Sequence, residues 1–200
     1  MVDFQQSKTK ENLARSFAAE CQEGARYQFM AKKALQDGFQ YLSLIIRTLA
    51  KNEMAHAQQF FEAINEHGGT ATSNIDIKAG YPFKGGEVLE TLLLESKNEK
   101  NSGENIYPAF AKIACDEGYQ DIAQLFTMVA KVELSHEQIL AQLHQKMKGK
   151  KLYKSMTPVA FKCDICGYTE KSKQAPKTCP LCKMEQGCFR IDVTIDENQT

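Results

Sequence analysis

The chain has 200 residues, 42% apolar and 25% charged, with 12 Gly and 5 Pro, an ordinary globular composition that excludes disordered, collagenous and fibrous classes. Its 25 Lys and Arg balance 25 Asp and Glu, so it carries neither a net basic field for nucleic-acid backbones nor an acidic tail for basic partners. The longest strongly apolar run, Tyr41 to Ile46, falls far short of the ~20 residues of a membrane-spanning helix, and the first residues lack a signal-peptide apolar core. A cytoplasmic protein with no membrane and no nucleic-acid partner is expected.

Up to about residue 148 the chain is rich in Ala, Glu, Gln, Lys and Leu, with apolar residues recurring at three- and four-residue steps. Four helices are predicted: Ser7 to Asp37, Phe39 to His67, one starting near Gly86 and one following Gly118. Gly38 and Gly118 mark tight turns, whereas roughly 18 residues join the second helix to the third, so two helical hairpins form a four-helix bundle with one long crossover. Pro108 removes a backbone donor within the third helical pattern and should kink or interrupt it. After Gly149 the character changes, with Pro158, Gly167, Pro176, Pro180 and Gly187 clustering among cysteines. A bundle over 1–148, a linker over 149–158 and a small module over 159–200 are expected. A segment of about 40 residues needs a metal or disulfide to fold.

Following each apolar stripe exposes the polar residues that it buries. On the second helix, Leu42, Ile45, Leu49, Glu53, His56 and Phe60 put a carboxylate and an imidazole inward; on the fourth, Phe126, Val129, Glu133, His136 and Leu140 do the same. Both pairs are Glu-x-x-His, a spacing that sets the side chains on one helical face. The first helix contributes Glu20 and Tyr27, the third Glu95 and Glu99 in the stripe Val88, Leu92, Glu95, Glu99, Ser102, Ile106. A single Glu-x-x-His is usually a solvated pair, but a dry cluster of carboxylates repels itself and is tolerable only around cations. Glu20, Glu99, Glu53 with His56 and Glu133 with His136 fill the pattern of di-iron and di-manganese bundles. His67 and His144 are read as surface residues, and Cys21 and Cys115 as small buried thiols.

Of the 7 cysteines, four form Cys163-x-x-Cys166 and Cys179-x-x-Cys182, the signature of a tetrathiolate metal site rather than a secreted disulfide framework. Zinc would make the module a structural ribbon, and iron a one-electron carrier. The dinuclear centre favours iron, because a tethered carrier supplies electrons at high effective concentration. Cys188 exceeds the four ligands and is read as a spectator.

With these residues in view, the chain resembles the rubrerythrin family. Cys163-Asp-Ile-Cys166-Gly167-Tyr168 and Cys179-Pro180-Leu181-Cys182 are similar to a rubredoxin module. Glu20, Glu53-x-x-His56, Tyr107-Pro108 and Glu133-x-x-His136 resemble, in the same order, that family's ferritin-like domain. The likeness spans nearly the whole chain and implies a mainly α fold: a ferritin-like four-helix bundle with one long crossover, plus a small metal-stapled rubredoxin-like C-terminal domain. It implies a non-haem di-iron peroxidase that reduces hydrogen peroxide to water in oxidative stress defence. In such a mechanism the diferrous site gives two electrons to peroxide and the rubredoxin-like iron refills it one electron at a time, usually across a head-to-tail homodimer. An NAD(P)H-dependent reductase or a rubredoxin-type donor stands upstream. His56 would be the mobile ligand, and Tyr27 and Tyr107 would hydrogen-bond ligand carboxylates.

One departure stands out. The family carries Glu-x-x-Glu on the third helix, and counting back from Tyr107-Pro108 gives Glu99 and then Ser102. Either Glu95, one turn earlier, restores the missing carboxylate as an extra ligand, or the site lacks it. Two other readings are a ferritin-like ferroxidase or iron-handling protein, for which the cysteine module is unnecessary, and a structural zinc-ribbon bundle, against which the inward Glu and His residues speak. A nucleic-acid-binding zinc ribbon has only the locally basic run Lys146 to Lys154 in its favour, which reads as a solvated helix end.

Overall fold

The computed structural model describes residues 2–191. The last part of the module expected over 159–200, residues 192–200, lies outside the described residues. Helix α1 spans Lys8–Gln36 and α2 Gln40–Gly68; α3 is Val88–Asn101, α4 Tyr107–Glu117 and α5 Gln120–Lys148. Strands β1 (Lys154–Cys163), β2 (Thr169–Gln174) and β3 (Phe189–Ile191) form one antiparallel sheet in the order β2-β1-β3. Helix α1 packs along α2, and α3 and α4 along α5, with the crossover joining the two hairpins. Among the described residues no helix is long and apolar enough to cross a membrane.

The local reasons for these elements are visible at their ends. Ser7 caps α1 by accepting from the Lys10 amide at 3.1 Å, which satisfies one of the free N–H groups of the first turn. Two more come from afar: the Glu117 carboxylate, at the end of α4, accepts from the Lys8 and Thr9 amides at 2.9 and 2.8 Å and from the Thr9 hydroxyl at 2.6 Å. Gly38 and Gly118, at φ +81° and +97°, make the two tight turns in a left-handed conformation that other residues rarely adopt.

Each long helix carries three layers. At one end of the bundle Leu13, Phe60, Tyr107 and Phe126 form an apolar cluster; at the other, Tyr27, Ile46, Leu92 and Leu140 form a second. Between them, on every helix, comes the polar position: Glu20 between Leu13 and Tyr27, Glu53 between Ile46 and Phe60, Glu99 between Leu92 and Tyr107, Glu133 between Phe126 and Leu140. The buried charges therefore lie in a slab roofed and floored by hydrocarbon, where water cannot reach them.

The third helix departs from its expected path. Ser102–Ile106 forms a π turn ahead of Pro108, which sits where a helix's first turn tolerates its missing N–H. In a regular α-helix residues 99 and 107 would stand about 80° apart. The wider π turn closes that gap, so Tyr107 is 3% exposed while Ile106, expected on the inward stripe, is 37% exposed. The turn packs closely on α5: a Cβ on Gly103 would meet Leu134 Cγ at 2.7 Å and the Ala130 carbonyl oxygen at 2.8 Å.

Three further expectations change. Strand β1 begins at Lys154, inside the stretch 149–158 expected as a linker, because residues 154 to 162 pair with β2. Cys115 is exposed and Cys21 half-buried rather than both being buried, since neither lies on an inward stripe. His67, taken as an unpartnered surface residue, is half-buried against Phe4 and Tyr119, with Nε2 2.7 Å from Asp121 Oδ2.

Replacing Gly103 by Ala is expected to destabilise the chain by about 1–3 kcal/mol, because backbone and side-chain atoms of α5 leave no room for the methyl group. A thermal unfolding midpoint several degrees below that of the unmodified chain would show it; an unchanged midpoint would show that the π turn yields freely.

Candidate metal centres

Six side chains from four helices meet in the polar slab. Glu20, Glu53, His56 and Glu133 offer one set of ligand atoms lying within 4.8 Å of one another, and Glu53, Glu99, Glu133 and His136 a second. Glu53 and Glu133 belong to both sets, as two bridging carboxylates between neighbouring cations would. His56 Nδ1 lies 3.2 Å from Glu20 Oε2, 3.2 Å from Glu53 Oε2 and 3.1 Å from Glu133 Oε1. His136 Nδ1 lies 3.0 Å from Glu53 Oε1 and 3.6 Å from Glu133 Oε2. All six expected ligands of the bundle are thus brought together, and all but His56, whose side chain is 12% exposed, are essentially inaccessible.

The donors around this centre are fixed from behind. Tyr27 donates a hydrogen bond to Glu99 Oε1 and Tyr107 one to Glu20 Oε1. The Asn52 amide lies 3.2 Å from His136 Nε2 and leaves Nδ1 as the nitrogen facing the carboxylates, the usual way a ligand imidazole is oriented. Apart from these ion-pair contacts with the two imidazoles, both oxygens of Glu53 and of Glu133 and Glu99 Oε2 are buried with no hydrogen-bond partner. Orphaned anionic oxygens at this depth cost several kcal/mol each unless cations bind them. Hard oxygen donors with two imidazoles suit iron or manganese, so the residues present fit a dinuclear centre.

Electrostatics reports the same demand. At His56 burial works against a charged ring, yet contacts with Glu133, Glu20 and Glu53 raise its pKa to about 12. At His136 burial is again outweighed, by Glu133 and Glu53, and the value rises to about 9. Burial raises Glu20 to about 8; the His56 contact opposes this and the charges of Glu133 and Glu53 reinforce it. Burial would raise Glu133 too, but contacts with Glu99, His136 and His56 hold it below the usual carboxylate range.

Glu95 does not join the centre. It faces Arg26, which donates from Nε to Oε1 at 3.0 Å and from Nη2 to Oε2 at 2.9 Å, and Asn98 donates to Oε2 at 2.9 Å. A bidentate guanidinium clamp is a stable end point for a buried carboxylate, so the expected extra ligand is a structural ion pair. Arg26 also holds Glu23, at 2.8 Å. Glu23 is a buried acid that stripe reading overlooked, although its position three residues after Glu20 puts it on nearly the same face.

In the C-terminal module Cys163, Cys166, Cys179 and Cys182 converge, their sulfurs within 4.8 Å of one another. The two knuckles are built alike. Gly167 and Lys183, each following the second cysteine, have φ +77° and +63°, and their amides donate to the carbonyls of Cys163 and Cys179 at 2.9 and 3.0 Å. Burial would raise the Cys163 thiol, but the backbone amides of Cys166 and Ile165 pointing at it lower it to about 6, which prepares a thiolate for metal. Cys188 is buried 3.4 Å from Cys163 Sγ but stands outside the four-sulfur group, and burial with the nearby Cys163 pushes its thiol up to about 12. The module seats on the turn between α1 and α2, where Gly187 lies so close that a Cβ there would fall 1.6 Å from the Gly38 carbonyl oxygen.

Comparisons with known proteins agree with this architecture. The Rubrerythrin family model matches residues 11–143 and, in a second overlapping alignment, 90–177. Rubrerythrin-1 of Clostridium acetobutylicum is 35% identical over 192 residues, covering 96% of this chain and 97% of its own. Among solved structures, a mixed-valence state of nigerythrin superposes with TM-score 0.61 at 22% identity over 96% of this chain and 94% of its own. A Desulfovibrio desulfuricans bacterioferritin, whose description names a diiron site, superposes with TM-score 0.59 at 26% identity over 72% of this chain and 82% of its own.

The three raised groups predict how chelator-stripped protein responds to pH. Each holds its folded-state proton tightly, so its stabilisation is fully present below the ordinary values of 4.5 for Glu20 and 6.5 for the histidines. It is lost as pH rises through about 8 for Glu20, about 9 for His136 and towards about 12 for His56. The thermal midpoint of stripped protein is therefore expected to fall between pH 6.5 and pH 9. Divalent metal should reverse the slope, because ions displace these protons and bind more tightly at higher pH. A midpoint that rises over that window without metal would contradict the assignment.

Proposed function

Since the chain belongs to the rubrerythrin family of oxidoreductases, we propose that it is a non-haem di-iron peroxidase that reduces hydrogen peroxide to water in oxidative stress defence. The observation that carries this reading is the pairing, in one chain, of two overlapping four-ligand Glu/His sets with a four-cysteine site. Two ferrous ions in the bundle would supply the electron pair that splits the O–O bond (H2O2 + 2 e− + 2 H+ → 2 H2O), and an iron held by four thiolates would supply electrons singly.

The residues' own contributions follow from their contacts. Tyr27 and Tyr107 hold one oxygen each of Glu99 and Glu20, which leaves the other oxygens for metal. The apolar layers above and below exclude bulk water and keep the field of the carboxylates unscreened. His56 is the most accessible of the six, and its Nδ1 stands equally near three carboxylates, so a small ring movement exchanges its partners. That freedom suits a ligand that shifts with redox state.

The seat of the module supports electron delivery between subunits. It rests on Gly38 and the start of α2, some 18 residues from Glu20 and 13 from Glu53, or roughly 20–27 Å along the helices. A head-to-tail homodimer would bring the partner's module to the bundle instead, with a reductase using NAD(P)H, or a rubredoxin-type donor, upstream and the whole system in the cytoplasm.

Replacing Glu53 and Glu133 together by Ala is expected to abolish peroxide-driven oxidation of the module's iron while its thiolate-to-iron absorption stays intact. Stopped-flow mixing of the reduced protein with hydrogen peroxide reads both. Unchanged oxidation in that variant would reject the bundle as the reaction centre. A bundle that is oxidised by oxygen but unresponsive to peroxide would favour iron handling.

A further inference from the structure

Glu23 is 7% exposed, an unusual depth for an acid that makes a single ion pair, Oε1 to Arg26 Nη2 at 2.8 Å. Arg26 does not depend on it. Its guanidinium is already engaged bidentately by Glu95, at 3.0 and 2.9 Å, and Nη1 donates to Gln22 Oε1 at 2.5 Å. Glu23 can therefore leave Arg26 without stranding a buried cation.

The space for such a movement exists. Glu23 borders a cavity of about 200 Å³ between α1 and the π turn, whose wall also includes Ser16, Ser102 and Tyr107 and whose roof is the crossover around Tyr81. Tyr81 donates to the Arg15 carbonyl at 3.1 Å and ties that roof to α1. Glu23 follows Glu20 by three residues on α1, which sets the two side chains on nearly the same helical face about a turn apart. Tyr107 stands at the junction, lining the cavity on one side and holding Glu20 on the other.

Donor count supplies the reason. The ion at Glu20 would be offered one atom each by Glu20, Glu53, His56 and Glu133, with the second Glu20 oxygen taken by Tyr107; hard divalent and trivalent ions prefer about six donors, which leaves room for another carboxylate. Position 102, on the cavity wall, offers only a hydroxyl.

We propose that Glu23 is a further metal-directed carboxylate of this centre, swinging from Arg26 through the space left beside Ser102 to ligate the ion held by Glu20. This inference rests on the bundle holding a metal pair. It makes the third helix's missing carboxylate a relocation to α1 rather than a loss.

The test is anaerobic titration with cobalt(II) of the full chain, the thiolate site being recognised by its intense thiolate bands. The unmodified chain is expected to take two further ions in the bundle. In Glu23→Gln one of the two should bind roughly 10–100-fold more weakly, with altered visible bands, while the thermal midpoint of chelated protein shows it folded. Adding Ser102→Glu to that variant should restore affinity and spectrum, which loss of a merely structural Arg26 partner would not allow. Wild-type affinity and spectrum in Glu23→Gln, or a loss that Ser102→Glu fails to repair, overturns the role of Glu23 alone. An unmodified chain that takes up no pair of ions overturns the peroxidase reading and this one with it.

Discussion

Everything in the bundle answers to one constraint: four carboxylates and two imidazoles are buried in mid-bundle, between two layers of hydrocarbon, with most of their oxygens unsatisfied. Such an arrangement is unfavourable by itself and stable only when positive charge sits among the acids. The rest of the structure can be understood as keeping that charge in place and in order. Tyrosines occupy chosen carboxylate oxygens, Asn52 turns His136, and a separate guanidinium collects the nearby acids that would otherwise crowd the centre.

Most of this slab could be read from residue spacing, for a physical reason. Helices α1, α2 and α5 are regular over 29 residues each, so a period of 3.6 carries the inward direction faithfully from one end to the other, and Glu20, Glu53, His56, Glu133 and His136 fall where the stripe puts them. The third helix could be followed only to Glu99. Past that point the π turn shifts the phase, which is why Ile106 was misplaced and Tyr107 was placed by resemblance instead of by periodicity. Glu95 shows a different limit. A stripe tells which side of a helix faces inward but not what waits there, and Arg26 comes from another helix. Glu23 lies on nearly the same face as Glu20 but beside Gly24, at the margin of the stripe, so spacing alone left its burial open.

The cysteine module obeys a different logic. Its core is small, with Phe161 and Phe189 packed among Cys163, Cys179 and Cys188, and its two knuckles repeat one backbone turn around the metal site. Spacing alone could locate the four sulfurs, because a Cys-x-x-Cys turn is short enough to dictate its own geometry. It could not locate the module's seat on the turn between α1 and α2, which depends on two glycines far apart in the chain.

The π turn at Ser102–Ile106 has a consequence for how such chains diverge. It absorbs one residue more than a regular helix would hold between Glu99 and Tyr107, since seven α-helical steps would leave the two positions about 20° apart and eight about 80°. Removing a single residue there would therefore regularise the helix with Glu99 and Tyr107 still facing inward, whereas substitutions that regularised the turn at its present length would rotate Tyr107 away from Glu20. A relative could thus lose or gain one residue in this turn and keep its centre, although the spacing between its motifs no longer matched.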